Sequence, residues 1–335
     1  MTSFQYGKET IKINLKSEEG TEIVQRLVKE EQIDVFLDPF RPGVLEKVKL
    51  GPENLMNLNP KLVYTRLSGF GQTGPMKHTA GHDINYVATS GVLSFLGSKS
   101  SNGQPKAPVN LLADFAGGSV LCSFGIVMAL FERSKSGKGQ ILDHSMTEGT
   151  AYISSFLFET LKNQKEILWP NHPTPESNML DNGAPFYCCY KTKDDKFIAV
   201  GAIEPKFYAN FIETIGFEDP DAKYSQFDNS LWPEMKEKFS EIIKTKTRDE
   251  WTKLFEKLDA CVTPVLDVSE VHSLELHKSR NSFENGLPNP APLMSRTPAK
   301  RDWNISQQTI TKQILQKLNY STKDIQKFED NNVIA

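Results

Sequence analysis

Short apolar runs alternate with helical segments over residues 1–148 of this 335-residue chain. Residues 33–37 and 62–67 are rich in Val, Ile and Leu, which is typical of buried strands. Residues 20–29 repeat apolar side chains at helical spacing. We also predict a strand at 11–15, helices at 42–47 and 82–96, and a strand at 140–143 followed by a helix. This β-α-β-α order predicts a large α/β domain with a doubly wound parallel sheet.

The pattern changes after residue 148. Residues 149–185 contain the proline-rich run Trp169–Pro175 and are interpreted as a linker. Residues 186–285 combine strands and helices, which predicts a second, smaller α+β domain. Prolines recur in 286–308, a second linker, and residues 309–335 form closing helices that return to the large domain.

Composition excludes several classes of function. The net charge is −3, and no basic stripe indicates nucleic-acid binding. Cys122, Cys188, Cys189 and Cys261 lack metal-ligand spacing, so we predict no metal site and reduced thiols in an intracellular protein. The apolar segment Phe115–Phe131 is shorter than the roughly 20 residues of a membrane span. We therefore predict a helix buried beneath the sheet.

Two candidate acid–base residues precede predicted helices. His82 follows Thr79-Ala80-Gly81, and the positive end of a helix disfavours imidazolium, which leaves a neutral general base. Asp114 precedes a Phe-Ala-Gly-Gly run and either caps its helix or takes part in proton transfer, and the two roles are compatible. Glu204 lies between a strand and a helix, either as a cap or as a partner for a histidine.

Two further stretches are candidate ligand sites. Residues Gly69–Gly74 match the dinucleotide fingerprint in letters, but Pro75 stands where a helix should begin. We interpret this loop as a place where a ligand approaches the backbone, or as a plain turn. Arg41 precedes a helix that contains Lys47, which suits either a phosphate site or a solvated surface.

Together these stretches resemble the racemase branch of the family III CoA-transferase superfamily over about residues 8–328. The matching runs include Gly81–Tyr86, Asn110–Gly118 and Gly201–Pro205. The resemblance implies the superfamily fold and an enzyme that inverts the α-methyl stereocentre of branched-chain fatty acyl-CoA thioesters, in lipid and bile acid metabolism.

The resemblance also implies residue roles. His82 would face the (S)-substrate and Asp114 the (R)-substrate, while Glu204 would hydrogen-bond the histidine from the partner chain of an interlocked homodimer. No metal or redox cofactor is implied, because CoA is part of the substrate. Relatives work in peroxisomes and mitochondria, although no targeting signal is legible here. Residues expected around CoA are Ile13, Asn14, Leu15, Lys16, Arg41, Lys47, Gly81, His82, Asp83, Ile84, Asn85 and Tyr86.

The chain departs from the family pattern at its beginning. Its first residues match the middle of the family's large domain. We therefore expect this domain to lack the family's N-terminal strand-loop-helix unit, and with it an arginine that binds the CoA phosphates. An inactive truncated pseudoenzyme is therefore one alternative function. The other is a CoA-transferase in which Asp114 is the nucleophile.

Overall fold

The computed structural model describes residues 7–30, 33–99, 102–219, 221–301 and 310–334. These residues divide into two compact units. The first contains the chain up to Val87, Asn110–Tyr152, and the chain from Leu287 onward, and the second contains Ala88–Val109 and Ile153–Gly286. The sequence-based boundaries kept 88–109 in the large domain and began the linker at 149. Residues 302–308 of the predicted second linker, and 309, lie outside the described residues.

The first unit contains a three-stranded parallel sheet in the order β1-β2-β3, which confirms the predicted parallel α/β architecture. Its register pairs Val35 with Val63 and Val63 with Gln140. In chain order its elements are α1 (Glu18–Glu30), β1 (Val35–Asp38), α2 (Val44–Lys47), α3 (Pro52–Leu58), β2 (Val63–Ser68), α4 (Asp83–Thr89), a π-helical segment (Leu111–Val120), α5 (Leu121–Ser136), β3 (Gln140–Ser145) and α6 (Met146–Ile153).

Two apolar clusters hold the first unit together. One joins α1, α3 and β2 through Val28, Leu55 and Tyr64. The other packs Ile23 of α1 against the closing helices α13 (Thr311–Lys317) and α14 (Thr322–Asp330). A helix near the beginning of the described chain therefore packs against the helices at its end.

Two local predictions for this unit are wrong. The predicted strand at 11–15 forms only an isolated bridge between Ile13 and Ile334, because the Lys12 N–H donates to the Thr311 hydroxyl. The helix predicted over 82–96 ends at Thr89, since Gly91 adopts φ 86° and breaks it.

The apolar helix is more exposed than the sequence indicates. Leu111–Ser136 runs without a break for 26 residues, and it is the one helix of the described part that is long and apolar enough to cross a membrane. Such a helix alone is weak support for a span. Its inner face packs Gly125 against Leu142 of β3, whereas Val120, Phe124, Val127 and Phe131 are 66, 58, 62 and 63 % exposed. The prediction of a helix buried on all sides is therefore wrong.

The second unit has a three-stranded antiparallel sheet and confirms the predicted α+β class. Its elements are a 3-10 turn (Val92–Phe95), α7 (Ser155–Asn163), α8 (Lys165–Leu168), β4 (Tyr187–Lys191), β5 (Phe197–Gly201), α9 (Pro205–Ile215), α10 (Trp232–Ile243), α11 (Arg248–Phe255), β6 (Val262–Pro264), a 3-10 turn (Val271–Ser273) and α12 (Glu275–Ser279). The short strand β7 (Phe283–Glu284) ends this unit, and β8 (Leu287–Pro288) belongs to the last part of the first unit. Cys188 is buried and Cys189 exposed, as strand alternation requires.

Candidate active site

A cavity of about 380 Å³ opens where the parallel strands of the first unit end. Ligands of open α/β sheets commonly bind at the carboxyl ends of the strands. Its lining comprises Pro39, Phe40, Arg41, Pro42, Leu67, Ser68, Gly69, Phe70, Lys77, Thr79, Ala80, Gly81, His82, Asn85, Tyr86 and Met146. The loops after β1 and β2, the start of α4 and the start of α6 therefore share one concave surface.

The glycine-rich loop after β2 shapes this surface around an aromatic ring. A Cβ atom added at Gly69 would lie 2.2 Å from the Tyr86 ring, and one added at Gly81 would lie 2.7 Å from it. Phe70 packs edge-on against the same ring. Because the loop continues to Asp83 before a helix begins, these glycines accommodate Tyr86 rather than opening a helix.

His82 occupies the position just before α4, on the cavity wall. Its N–H donates to Asn85 Oδ1 at 3.1 Å, and its carbonyl oxygen accepts the Asn85 N–H at 2.8 Å. These two bonds hold the backbone of His82 in place. The residue is solvent-exposed, so its imidazole is accessible to a ligand.

Asp114 lies inside the π-helical segment Leu111–Val120, four residues after the N-cap position, which Asn110 occupies. The interpretation of Asp114 as an N-cap is therefore wrong. Val109 and Asn110 both adopt positive φ, 54° and 49°, which is unusual for a β-branched residue. Asn110 Nδ2 lies 3.4 Å from Asp114 Oδ2. Single π-helical turns within α-helices are frequent at functional sites.

The buried carboxylate of Asp83 connects the backbone segments that carry the two candidate bases, although Asp114 is not among the residues that line the His82 cavity. Asp83 follows His82 directly, and its Oδ1 accepts the N–H groups of Ala113 at 2.8 Å and Asp114 at 3.0 Å. The sequence suggested only that Asp83 lies near CoA. This contact spans thirty residues of chain and carries no local sequence signal.

The Ala-Gly-Gly run after Asp114 is explained by close packing against α6. A Cβ atom at Gly149 would lie 2.0 Å from the Gly117 carbonyl oxygen, and one at Gly117 would lie 2.5 Å from the Thr150 nitrogen. His144 Nε2 lies 2.8 Å from that carbonyl oxygen. The backbone of the segment that carries Asp114 is therefore in close contact with α6 at Gly117.

The predicted CoA-contacting residues fall into two cavities of the first unit. Arg41 lines the cavity with His82. Leu15, Lys16 and Lys47 line a second cavity of about 370 Å³. The predicted contacts that line neither cavity are Ile13, Asn14, Asp83 and Ile84.

The side chains outside the cavities have other surroundings. Ile13 packs in the cluster of the closing helices, and Asn14 Nδ2 donates to the Asn332 carbonyl oxygen. The Ile84 side chain is exposed. A phosphate-bearing ligand therefore has two basic groups at the His82 cavity, Arg41 and Lys77, and others at the second cavity.

A buried ion network beneath the cavity was not expected from the sequence. Arg66 of β2 contacts Asp38 at 3.5 Å and Glu46 at 2.8 Å. Asp38 Oδ1 accepts the Phe40 N–H, which fixes the loop that leads to Arg41. Burial raises the pKa of Asp38 above its usual range.

Glu204 lies in the second unit, at the N-cap position of α9, and is exposed. Its side chain makes no capping bond. The preceding loop is held by Gln226, whose Nε2 donates to the carbonyl oxygens of Ala202 at 3.1 Å and Ile203 at 2.8 Å. Gln226 was also missed, because nothing local marks a glutamine that supports a distant loop.

The His, Cys, Asp and Glu side chains of the described residues form no group of three or more that is placed to hold a metal ion. The four cysteines are free thiols. Burial raises the pKa values of the Cys122 and Cys188 thiols.

Comparisons with known proteins agree with this architecture. The chain is 47 % identical to the alpha-methylacyl-CoA racemase of Mus musculus and 48 % identical to that of Homo sapiens, in each case over 98 % of this chain and 85 % of the relative. A CAIB/BAIF family protein from Brucella suis shares the fold, with a TM-score of 0.74 at 23 % identity over 93 % of this chain and 82 % of that chain. The model of "CoA-transferase family III" matches residues 1–304. The chain therefore belongs to CoA-transferase family III.

Proposed function

We propose that this protein is a racemase that inverts the α-methyl stereocentre of branched-chain fatty acyl-CoA thioesters. The observation that carries the proposal is the link between His82 and Asp114, because Asp83, the residue next to His82, binds the Asp114 backbone at 3.0 Å. The identity of 47–48 % to two racemases supports the same chemistry.

The reaction is a two-base proton transfer. The neutral His82 imidazole removes the α-proton of the (S)-thioester, and the C–H electron pair moves into an enolate whose oxygen was the thioester carbonyl. Protonated Asp114 then returns a proton to the opposite face of the carbon, which gives the (R)-thioester. The reverse reaction exchanges the two roles. Such general acid–base groups each contribute about 10²–10⁴-fold in rate.

CoA supplies the thioester that acidifies the α-proton, so the proposal includes no resident cofactor. Arg41 beside His82, and Lys16 and Lys47 at the second cavity, are proposed to bind the CoA phosphates. Replacing Lys47 by alanine should weaken CoA binding measured by calorimetry and leave the turnover of saturated enzyme unchanged. An unchanged affinity would remove the second cavity from the CoA site.

Deuterium exchange tests the two bases separately. In D₂O the Asp114→Asn variant should still exchange the α-proton of the (S)-thioester through His82, but it should lose inversion by at least about 100-fold. His82→Gln should retain exchange only of the (R)-thioester. His78→Gln, which changes an exposed histidine outside the cavity lining, is the matched control. Wild-type protein that exchanges neither epimer over many hours would contradict the proposal.

CoA transfer is a second candidate, favoured by the match to the CoA-transferase family III model. In that reaction the Asp114 carboxylate attacks the thioester carbonyl, CoA leaves as the thiolate, and a mixed anhydride forms. Hydroxylamine that attacks the aspartyl carbonyl of this anhydride would leave a hydroxamate adduct at Asp114 and release the acyl group as its carboxylate. A trapped adduct without α-proton exchange would favour transfer over racemisation.

A homodimer is part of the proposal. Val120, at the end of the π-helical segment, forms one exposed apolar face with Phe124, Val127 and Phe131 of α5, and we call it the α5 face. Exposed patches of this kind mark interaction sites, and a second copy would cover the face. Glu204 of the partner subunit is then proposed to hydrogen-bond the His82 imidazole.

Sedimentation tests the dimer. Phe124→Glu should shift the wild-type dimer to monomer, whereas Val268→Glu, at a position 85 % exposed in the second unit, should leave it dimeric. A wild-type monomer that binds phosphatidylcholine vesicles through Phe124 would contradict the dimer and identify the face as a membrane contact.

We further propose that the protein works in peroxisomes or mitochondria. The free thiols suit a reducing compartment. Imaging of the endogenous protein beside markers of both organelles tests this, and a secreted protein would contradict it.

A further inference from the structure

The side chain of Asp83 bonds the backbone of the segment that carries Asp114, and it does not line either cavity described above. It is only 4 % exposed. Its Oδ1 accepts two backbone N–H groups, from Ala113 at 2.8 Å and from Asp114 at 3.0 Å. The carboxylate therefore contacts the segment that carries one base, while its own backbone adjoins the other base, His82.

The helix that begins after Asn110 needs this contact. The first N–H groups of a helix have no acceptor within the helix and are usually satisfied by a local capping side chain. The Asn110 side chain makes no such bond. Asp83 supplies the missing acceptor from a distant part of the chain, and hydrogen bonds to a carboxylate are among the strong ones.

Stability alone does not account for a carboxylate at this position. Asp83 Oδ2 is buried and has no hydrogen-bond partner among the described residues. Burying a charged oxygen without a partner costs free energy. A neutral side chain could accept the same two N–H groups without that cost, so the arrangement suggests a role in the site.

We infer that Asp83 is a positioning residue that holds the Asp114 carboxylate opposite His82 across the α-carbon. The inference rests on the proposed racemase function. It assigns the Asp83 side chain to alignment of the bases and not to CoA binding. Displacing a reacting group by about 1 Å can cost about 100-fold in rate, so a single misplaced helix start would matter.

The ratio of α-proton exchange to inversion isolates this role. In an Asp83→Ala variant, His82 still removes the proton of the (S)-thioester, but a displaced Asp114 returns a proton to the other face too slowly. The exchange-to-inversion ratio in D₂O should therefore rise by at least about 10-fold. The KM for the thioester should stay within about 3-fold of wild type, since no proposed CoA contact is lost.

Asp83→Asn provides a partial rescue. Its amide oxygen can accept the same two N–H groups, but hydrogen bonds to an uncharged acceptor are weaker, so the ratio should lie between those of Asp83→Ala and wild type. The matched control is Asp181→Ala in the second unit, where one carboxylate oxygen also accepts two backbone N–H groups, from Asn178 at 2.7 Å and Gly183 at 3.2 Å. That variant should lose thermal stability but keep the wild-type ratio.

The outcomes separate the two proposals. A wild-type protein that exchanges no α-proton would contradict the racemase function itself. An active wild type with an unchanged ratio in folded Asp83→Ala, or a raised KM without a changed ratio, would overturn the positioning role alone. Circular dichroism and thermal melting establish that each variant is folded, and a ratio change that is largest in Asp83→Ala and absent in Asp181→Ala supports the inference.

Discussion

The two units of the molecule use their buried side chains differently. The second unit surrounds Phe239 with the rings of Tyr190, Phe211 and Phe217, so its core is closed. The first unit leaves the α5 face open. Both units bury polar atoms that lack hydrogen-bond partners among the described residues, including those of Asp38, Arg66 and Asp83 in the first unit and of Tyr208, Gln226 and His277 in the second.

What differs between the units is the surroundings of these atoms. Asp38, Arg66 and Asp83 lie near the ends of β1 and β2 and at the start of α4, where the cavity opens. Buried polar groups that cost stability are tolerated where they serve a site. The closed aromatic core of the second unit is best explained by stability.

The largest expected effect is at Phe239, which is fully buried. Replacement by alanine should destabilise the second unit by about 3–5 kcal/mol, through lost burial and a residual cavity. Denaturant unfolding should show this loss at every protein concentration. Phe124→Ala on the α5 face should lower stability only at concentrations where the dimer forms. Equal, concentration-independent losses in both variants would contradict the contrast between the two units.

A smaller effect is expected at Gly69, where an added Cβ would lie 2.2 Å from the Tyr86 ring. Gly69→Ala should cost about 1–3 kcal/mol by overpacking and reduce turnover by about 100-fold by displacing the cavity wall. Steady-state kinetics and thermal melting measure both effects. Gly201→Ala, where the nearest atom would be 3.9 Å away, is the control and should be near neutral. Normal turnover in Gly69→Ala would show that this loop does not shape the site.

The smallest effect concerns pH and an ion network in the second unit. Glu270 accepts hydrogen bonds from Arg248 at 2.7 Å and Lys196 at 3.0 Å, and the Arg248 bond is the main reason that its pKa lies well below the usual 4.5. A lowered folded-state pKa stabilises the protein above the unfolded value, and that contribution is lost as pH falls below about 4.5 towards the folded value.

Glu270→Gln should therefore flatten the acid side of the Tm-against-pH curve and lower the Tm slightly at pH 7. Asp195→Asn, which removes an exposed carboxylate paired with Lys191, should leave that curve unchanged. An acid limb of the same slope in Glu270→Gln and wild type would show that other groups control acid unfolding.

The sequence predicted the features that depend on local pattern. Apolar runs and glycine boundaries were enough for the parallel strands and for the start of α4 after His82, since both are encoded within a few residues. The prediction of a strand at 11–15 was wrong because the apolar residues there pack against the closing helices. The prediction that α5 is buried was wrong because composition does not show how many sides of a helix are covered by its neighbours.

The tertiary part of the site was beyond local reasoning. Asp83 was named as a CoA contact, but its bonds to Ala113 and Asp114 join segments thirty residues apart. Arg66 and Gln226 were not singled out, because each supports a loop that is remote in sequence. Only a structure shows which polar side chains such loops depend on.

A complex with an unreactive thioether analogue of a 2-methylacyl-CoA tests the central claim most directly. The crystal structure should place the α-carbon between the His82 imidazole and the Asp114 carboxylate, with both groups within about 3.5 Å on opposite faces. An α-carbon that reaches only one of the two groups, or groups that face separate cavities, would contradict the two-base racemase.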